Sequence, residues 1–398
     1  MRSRTLLIAL LALAVAFVAS AWRTQLGDYV DLANDNNAAP TIAALVDGDW
    51  DRAAENMPAQ GMTSILLRVP FAAAGGSDKL WVYRLGSFGC MLLLVALVVV
   101  LDRRMQEAGR PPLYRLAIGV AMLLGPIGLA PLHSGHPEEI VGGVLCVAAV
   151  LAATGGRAVW AGILLGLAVG TKQWALLAVP VVLVAVAGPN LFDRRRLIAT
   201  GVAAAVGAAT VLPGILANPD RYEQTTGHLA STKRTYAQSL WWPIATKKSL
   251  NLDLGGGERR QIDVFALPGS LDRGKVTGLA VIAAFALGAW ALFRRGGIAD
   301  PMGLLAFLMT LRCAVDPMNL DYYAAPALMA MAAWEASSRG PDRKLPVITL
   351  ATSIIIWAAW RWPDDSPHAL VFAFWLLSLL PLLLLRQPAG EGPAPQPA

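Results

Sequence analysis

Runs of about 16–22 residues with little or no charge recur from one end of this chain to the other, and they constrain it more than any other feature. A helix of that length crosses a hydrocarbon core of roughly 30 Å, and in lipid a helix satisfies all its own backbone hydrogen bonds. Twelve such runs are legible, at about 5–22, 80–101, 113–131, 139–154, 158–171, 174–187, 197–217, 276–293, 300–314, 322–338, 345–361 and 368–385. The pattern predicts an all-α polytopic integral membrane protein with about twelve transmembrane helices. Composition agrees: 56% of the 398 residues are hydrophobic, only 15% are charged, and the mean hydropathy is +0.52.

The net charge of +6 would suit a nucleic-acid binder if the cations formed one patch. They do not. Lys and Arg collect in short turns such as Asp102-Arg103-Arg104, Asp193-Arg194-Arg195-Arg196 and Arg294-Arg295, which the positive-inside bias places in the cytoplasm. The expected topology therefore has both termini cytoplasmic and two long outer loops, about 23–79 and 218–274, with no nucleic-acid partner. The basic Met1 to Arg4 and Ala19-Ser20-Ala21 also fit a cleaved leader. A single membrane domain is expected over 1–386, followed by a disordered cytoplasmic tail at 387–398 rich in Pro, Gly and Ala. Cys90, Cys146 and Cys313 lie scattered in or beside apolar runs and read as small buried hydrophobes.

Polar groups gather at the outer turns. The first outer loop carries Asp28, Asp31 and Asp35 directly after the first span, then two half-apolar pieces, Pro40 to Val46 and Met62 to Ala74, expected to lie at the interface. The second outer turn holds His133, His136, Glu138 and Glu139. The third holds Lys172 and Gln173, and the fourth Asp316, Asn319, Asp321, Tyr322 and Tyr323. The large second loop is centred on Trp241-Trp242, residues that favour a membrane interface. Each group has an ordinary alternative. The acids can cap helices, a terminal Lys snorkels, and His-x-x-His with two Glu is a weak metal signal. Together they suit transfer between a lipid phosphate in the outer leaflet and a polar acceptor. A carboxylate would serve as base, and a Lys or Arg would stabilise the departing phosphate.

Gly135-His136-Pro137-Glu138-Glu139, then Ala161-Gly162 through Gly166-Leu167-Ala168 to Thr171-Lys172-Gln173-Trp174-Ala175 and Pro180, resembles glycosyltransferase family 87. The stretch Asp316-Pro317-Met318-Asn319-Leu320-Asp321-Tyr322-Tyr323 to Pro326 is similar to that family as well, as is an Asp just past the first span. The resemblance implies a GT-C fold and inverting transfer of a sugar, often mannose or a pentose, from a polyprenyl-phosphate donor without metal or other cofactor. The acceptor would be a glycolipid, polysaccharide or protein outside the cytoplasmic membrane of a bacterium. On that resemblance Asp28, then Asp31, then Asp35 is the expected base. Lys172, with Arg68, Lys233 or Arg234, would hold the phosphate, while His136, Glu138, Gln173, Trp174, Trp241, Trp242, Asn319, Tyr322 and Tyr323 would line the substrates. Where the family usually has Tyr-Pro-Pro-Leu, this chain has Gln60 to Phe71, which leaves the acceptor open. The alternatives are another lipid-linked transferase or a non-catalytic lipid or solute transporter.

Overall fold

The computed structural model describes residues 2–23, 38–58, 61–76, 78–186, 192–236, 238–253, 259–293, 300–337, 345–360 and 370–384. Asp28, Asp31, Asp35 and the tail at 387–398 lie outside them. Helix α1 (Arg2–Arg23) is followed by α2 (Ala38–Asp47), α3 (Trp50–Glu55) and α4 (Thr63–Ala72), so both half-apolar pieces of the first loop are helical. Then come α5 (Lys79–Glu107), α6 (Pro112–Leu124), α7 (Pro126–His133), α8 (Glu138–Thr154), α9 (Ala158–Val169), α10 (Ala178–Ala185), α11 (Arg194–Ala217) and α12 (Pro219–Ser231). The chain ends with α13 (Arg273–Phe293), α14 (Pro301–Val315), α15 (Ala325–Ser337), α16 (Val347–Ala359) and α17 (Leu370–Leu384).

The protein is a helical membrane protein with many apolar helices. Among the described residues, Leu80–Glu107, Pro112–His133 and Arg194–Ala217 are long and apolar enough to cross a bilayer, and shorter apolar helices such as Ala158–Val169 and Pro301–Val315 stand beside them. Proline and glycine account for several of the breaks. The run at 113–131 kinks at Gly125, because Pro126 lacks an N–H and disfavours helical backbone in the residue before it. The run at 174–187 begins as a tight 3-10 turn at Gln173–Leu177 before α10.

The structure departs from the all-helical expectation in the second long loop. Strands β1 (Arg234–Thr235), β2 (Thr246–Asp253) and β3 (Arg259–Ala266) form an antiparallel sheet in the order β1-β3-β2. Thr246 and Arg234 both pair with Ala266, on either side of the central strand. Thr, Leu, Ile, Val and Phe in this stretch favour an extended backbone. The length and turn residues of the loop are visible in the sequence; the pairing is not.

The centre of the bundle is α8, α14 and α15, which are buried almost all round, as a helix apolar on every face should be. All three cysteines are buried, and none is in a disulfide. On the flank, α9 packs directly on α11 through small residues that let the two backbones approach. A Cβ added at Gly166 would sit 2.7 Å from the Ala203 carbonyl oxygen, and one at Gly162 2.6 Å from that of Ala199. Gly166→Leu is therefore expected to force the helices apart and lower stability by about 1–3 kcal/mol. Thermal unfolding in detergent measures this. Gly201→Ala, at a glycine with open space around it, should stay within about 0.5 kcal/mol of the parent.

Candidate active site

The turns around His136, Lys172 and Asp316 meet at one end of the bundle and share a buried ionic cluster. Helix α8 opens with Glu138 and Glu139 in its first turn, where the positive end of the helix dipole favours carboxylates. Opposite them, α9 ends at Gly170 and the backbone becomes extended at Lys172. This returns the Lys172 ammonium to 2.9 Å from Glu138 Oε1 and 3.9 Å from Glu139 Oε1. Burial alone would disfavour the ammonium; Glu138 and Glu139 outweigh it and hold the lysine above its ordinary pKa. His136 Nδ1 lies 3.0 Å from the same Glu138 oxygen, and its ring stacks on Tyr322 at 4.0 Å.

The other side of the cluster comes from α14 and the turn after it. Arg312 Nη1 is 3.5 Å from Glu139 Oε2 and donates to the Tyr323 carbonyl at 3.3 Å. Its guanidinium lies between two rings, 4.7 Å from Trp174 and 4.9 Å from Tyr323. Trp174 Nε1 donates to Glu139 Oε1 at 3.2 Å. The indole fits because α8 has glycine at 142, where a Cβ would meet Trp174 Cζ2 at 2.9 Å. Ser134 donates to Asp321 Oδ1 at 3.0 Å, yet burial still pushes that carboxyl above its ordinary value.

A second ion pair adjoins the first. Arg273, the first residue of α13, donates through Nη2 to Asp316 Oδ2 at 3.1 Å and to the Tyr323 hydroxyl at 3.0 Å. Asp316 is held in turn by the Met318 N–H at 2.9 Å.

The depths of the charges are unequal, and this gives the cluster its character. The carboxylate side chains of Glu138, Glu139 and Asp316 are 0%, 1% and 5% exposed and Arg312 is 6%, whereas Lys172 and Arg273 are each 18% exposed. Buried charges persist only when paired. Three cations are balanced by three carboxylates here, and the two most exposed side chains of the six, Lys172 and Arg273, are both cationic. Such a surface can receive an anion without unpaired negative charge beside it.

The remaining candidates occupy varied places. Gln173 Nε2 donates to the Tyr222 hydroxyl of α12 at 3.3 Å, tying the third turn to the second loop. Trp241 Nε1 donates to the Val315 carbonyl at 2.7 Å, and the Trp242 ring meets Phe265 edge-on at 5.8 Å. Asn319 is fully buried, with Nδ2 on the Gln238 carbonyl at 3.4 Å. Arg68 is 1% exposed and lies over the Tyr83 ring at 5.5 Å. The Lys233 ammonium is exposed and binds the Gly269 carbonyl at 2.7 Å, and Arg234 lies over Tyr236. Among the described residues no three His, Cys, Asp or Glu side chains converge as a metal site requires.

Sequence reasoning missed Arg312 and Arg273 and gave Glu139 and Asp316 no specific role. A signal for Arg312 existed, since an ionisable residue inside an otherwise uncharged run marks a functional position by default. Arg273 gave none beyond closing a basic loop.

A model of glycosyltransferase family 87 matches residues 61–317, well over half the chain. The chain belongs to glycosyltransferase family 87. The matched region of this family 87 glycosyltransferase runs from the glycine before α4 to Pro317, and so takes in Glu138, Glu139, Lys172, Arg273, Arg312 and Asp316. No curated protein matches the chain.

Proposed function

We propose that this glycosyltransferase moves a sugar from a polyprenyl-phosphate donor to an acceptor hydroxyl at the extracytoplasmic face of a bacterial cytoplasmic membrane, with both termini cytoplasmic and a GT-C-like arrangement of spans. The observation carrying this reading is the ionic cluster, in which Glu138 and Glu139 are buried and the Lys172 side chain paired with them is more exposed. A lipid-linked phosphate suits it because the tail can stay in the bilayer while the anion meets the cations at the helix ends. Mannose and pentoses are the sugars the family resemblance favours, and the acceptor is a glycolipid, polysaccharide or protein.

The reaction is an inverting displacement. The acceptor oxygen bonds to the anomeric carbon as the bond from that carbon to the phosphate oxygen breaks, and the electron pair leaves with the phosphate. The acceptor proton passes to a carboxylate of the first outer loop, Asp28 first, with Asp31 and Asp35 as the other candidates. Lys172 stabilises the negative charge that grows on the phosphate, so the proposed steps require no metal. Glu138 and Glu139 keep that lysine charged and fixed. A transporter would need ionisable groups along a path through the bundle, whereas this cluster gathers where α8, α9, α13 and α14 begin or end.

The test is transfer of labelled sugar from polyprenyl-phosphate donors by purified protein in lipid. One of Asp28→Asn, Asp31→Asn and Asp35→Asn should lose about 10²–10⁴-fold in rate while still binding donor. Full activity in all three would remove the base assignment. Transfer from a nucleotide sugar in place of the lipid donor would remove the donor assignment.

A further inference from the structure

Arg273 has no role in the reaction as written above, yet its geometry resembles that of Lys172. Both side chains are 18% exposed, and each is backed by buried carboxylate, Asp316 for the arginine and Glu138 for the lysine. The Tyr323 hydroxyl receives a hydrogen bond from Arg273, and its ring meets that of Tyr322, which stacks on His136 beside Glu138, the partner of Lys172. The 3-10 turn that follows Lys172 also packs on α13, whose first residue is Arg273.

We propose that Arg273 is the second cation of the donor-phosphate site, acting with Lys172 across Tyr323. The inference rests on the polyprenyl-phosphate reading and specifies how the phosphate is held. Donor count supports it. Among the described residues, Asp316 and Tyr323 take the two Nη2 hydrogens of Arg273, and the three N–H groups on Nη1 and Nε have no hydrogen-bond partner. The ammonium of Lys172 has one oxygen at hydrogen-bond distance and two further protons. A phosphodiester offers two non-bridging oxygens, one for each cation. Asp316 fixes the guanidinium from behind, because its Oδ1 takes the Met318 N–H and its Oδ2 takes Arg273.

Charge balance gives the pair a catalytic consequence. The donor phosphodiester carries one negative charge. When its bond to the anomeric carbon breaks and the electron pair stays on oxygen, the leaving phosphate carries two. Two cations on one phosphate match the product and the late transition state better than the substrate, so they accelerate transfer rather than merely tightening donor binding. Other basic residues fit this position less well. Arg312 is 6% exposed between two rings, the Lys233 ammonium is bound to Gly269, and Arg68 is buried over Tyr83.

The experiment compares binding of polyprenyl phosphate and of polyprenol of equal chain length to the full chain in nanodiscs. Arg273→Gln removes the charge while keeping a donor for Asp316; Arg273→Lys keeps the charge; Arg273→Gln with Asp316→Asn removes the whole pair if the single variant melts early. The expected result is a loss of about tenfold or more for the phosphate in both neutral variants, with polyprenol binding unchanged and partial recovery with Lys. Sugar transfer should fall more in kcat than KM rises. Neutral variants that bind the phosphate as tightly as the parent overturn the role of Arg273. A parent protein that binds polyprenol and polyprenyl phosphate equally overturns the donor reading itself, so the two failures are distinct.

Discussion

Arg312→Met is expected to lower stability by about 3–5 kcal/mol, the usual consequence of stripping one partner from a buried ion pair. Glu139 would remain 1% exposed, keeping the Trp174 indole at 3.2 Å and a distant Lys172 ammonium at 3.9 Å. Neither replaces a guanidinium seated between two rings. The diagnostic comparison is with Arg312→Met/Glu139→Gln. Removing both charges takes away the desolvation penalty together with the attraction, so the double variant should recover to within about 1–2 kcal/mol of the parent. The amide oxygen that Glu139→Gln introduces still accepts from Trp174. Unfolding in mild detergent, followed by tryptophan fluorescence, measures both. If the single variant melts with the parent, Arg312 and Glu139 are not a structural pair.

Lys172→Met is expected to reduce the sugar-transfer rate by about 10²–10³-fold, the range seen when one group that stabilises transition-state charge is removed. It should also lower stability, because Glu138 is 0% exposed and would retain the His136 contact at 3.0 Å without its ammonium. Adding Glu138→Gln separates the two effects. Lys172→Met/Glu138→Gln should regain stability and stay inactive, whereas Arg312→Met/Glu139→Gln should regain stability and a good part of its activity. The physical difference is access. The Lys172 side chain is 18% exposed and that of Arg312 only 6%. Transfer assays on the four single and double variants decide it, and an active Lys172→Met/Glu138→Gln protein would withdraw Lys172 from the chemistry.

Much of the fold was legible because hydropathy is local. The runs at 5–22, 139–154 and 197–217 match α1, α8 and α11 closely, and the two pieces of the first loop match α2 and α4. Breaks were harder to place. Gly125-Pro126 interrupts a run whose composition is otherwise uniformly apolar, and the extended Lys172 precedes a 3-10 turn that apolarity alone does not distinguish from a helix. The sheet in the second loop escaped for a related reason. Its eight-residue strands alternate weakly, and their register depends on pairing partners remote in sequence.

The site divides along the same line. His136, Glu138, Lys172, Trp174, Tyr322 and Tyr323 stood out as polar or aromatic groups at turns, and the structure brings all six into one cluster. Trp241 and Asn319 looked equally eligible but spend hydrogen bonds on Val315 and Gln238, fastening the second loop to the fourth turn. By itself the sequence determined that the chain is a helical membrane protein, roughly where its helices lie, and which turns collect polar groups. Each of those follows from side-chain transfer energies and short-range backbone rules. Only the tertiary structure decided which charges meet. Lys172, Arg273 and Arg312 follow or lie on different helices, α9, α13 and α14, and nothing local relates them. Their common position, and the burial of the carboxylates beneath the accessible cations, comes from helix packing, where a buried charge must find its partner wherever in the chain that partner lies.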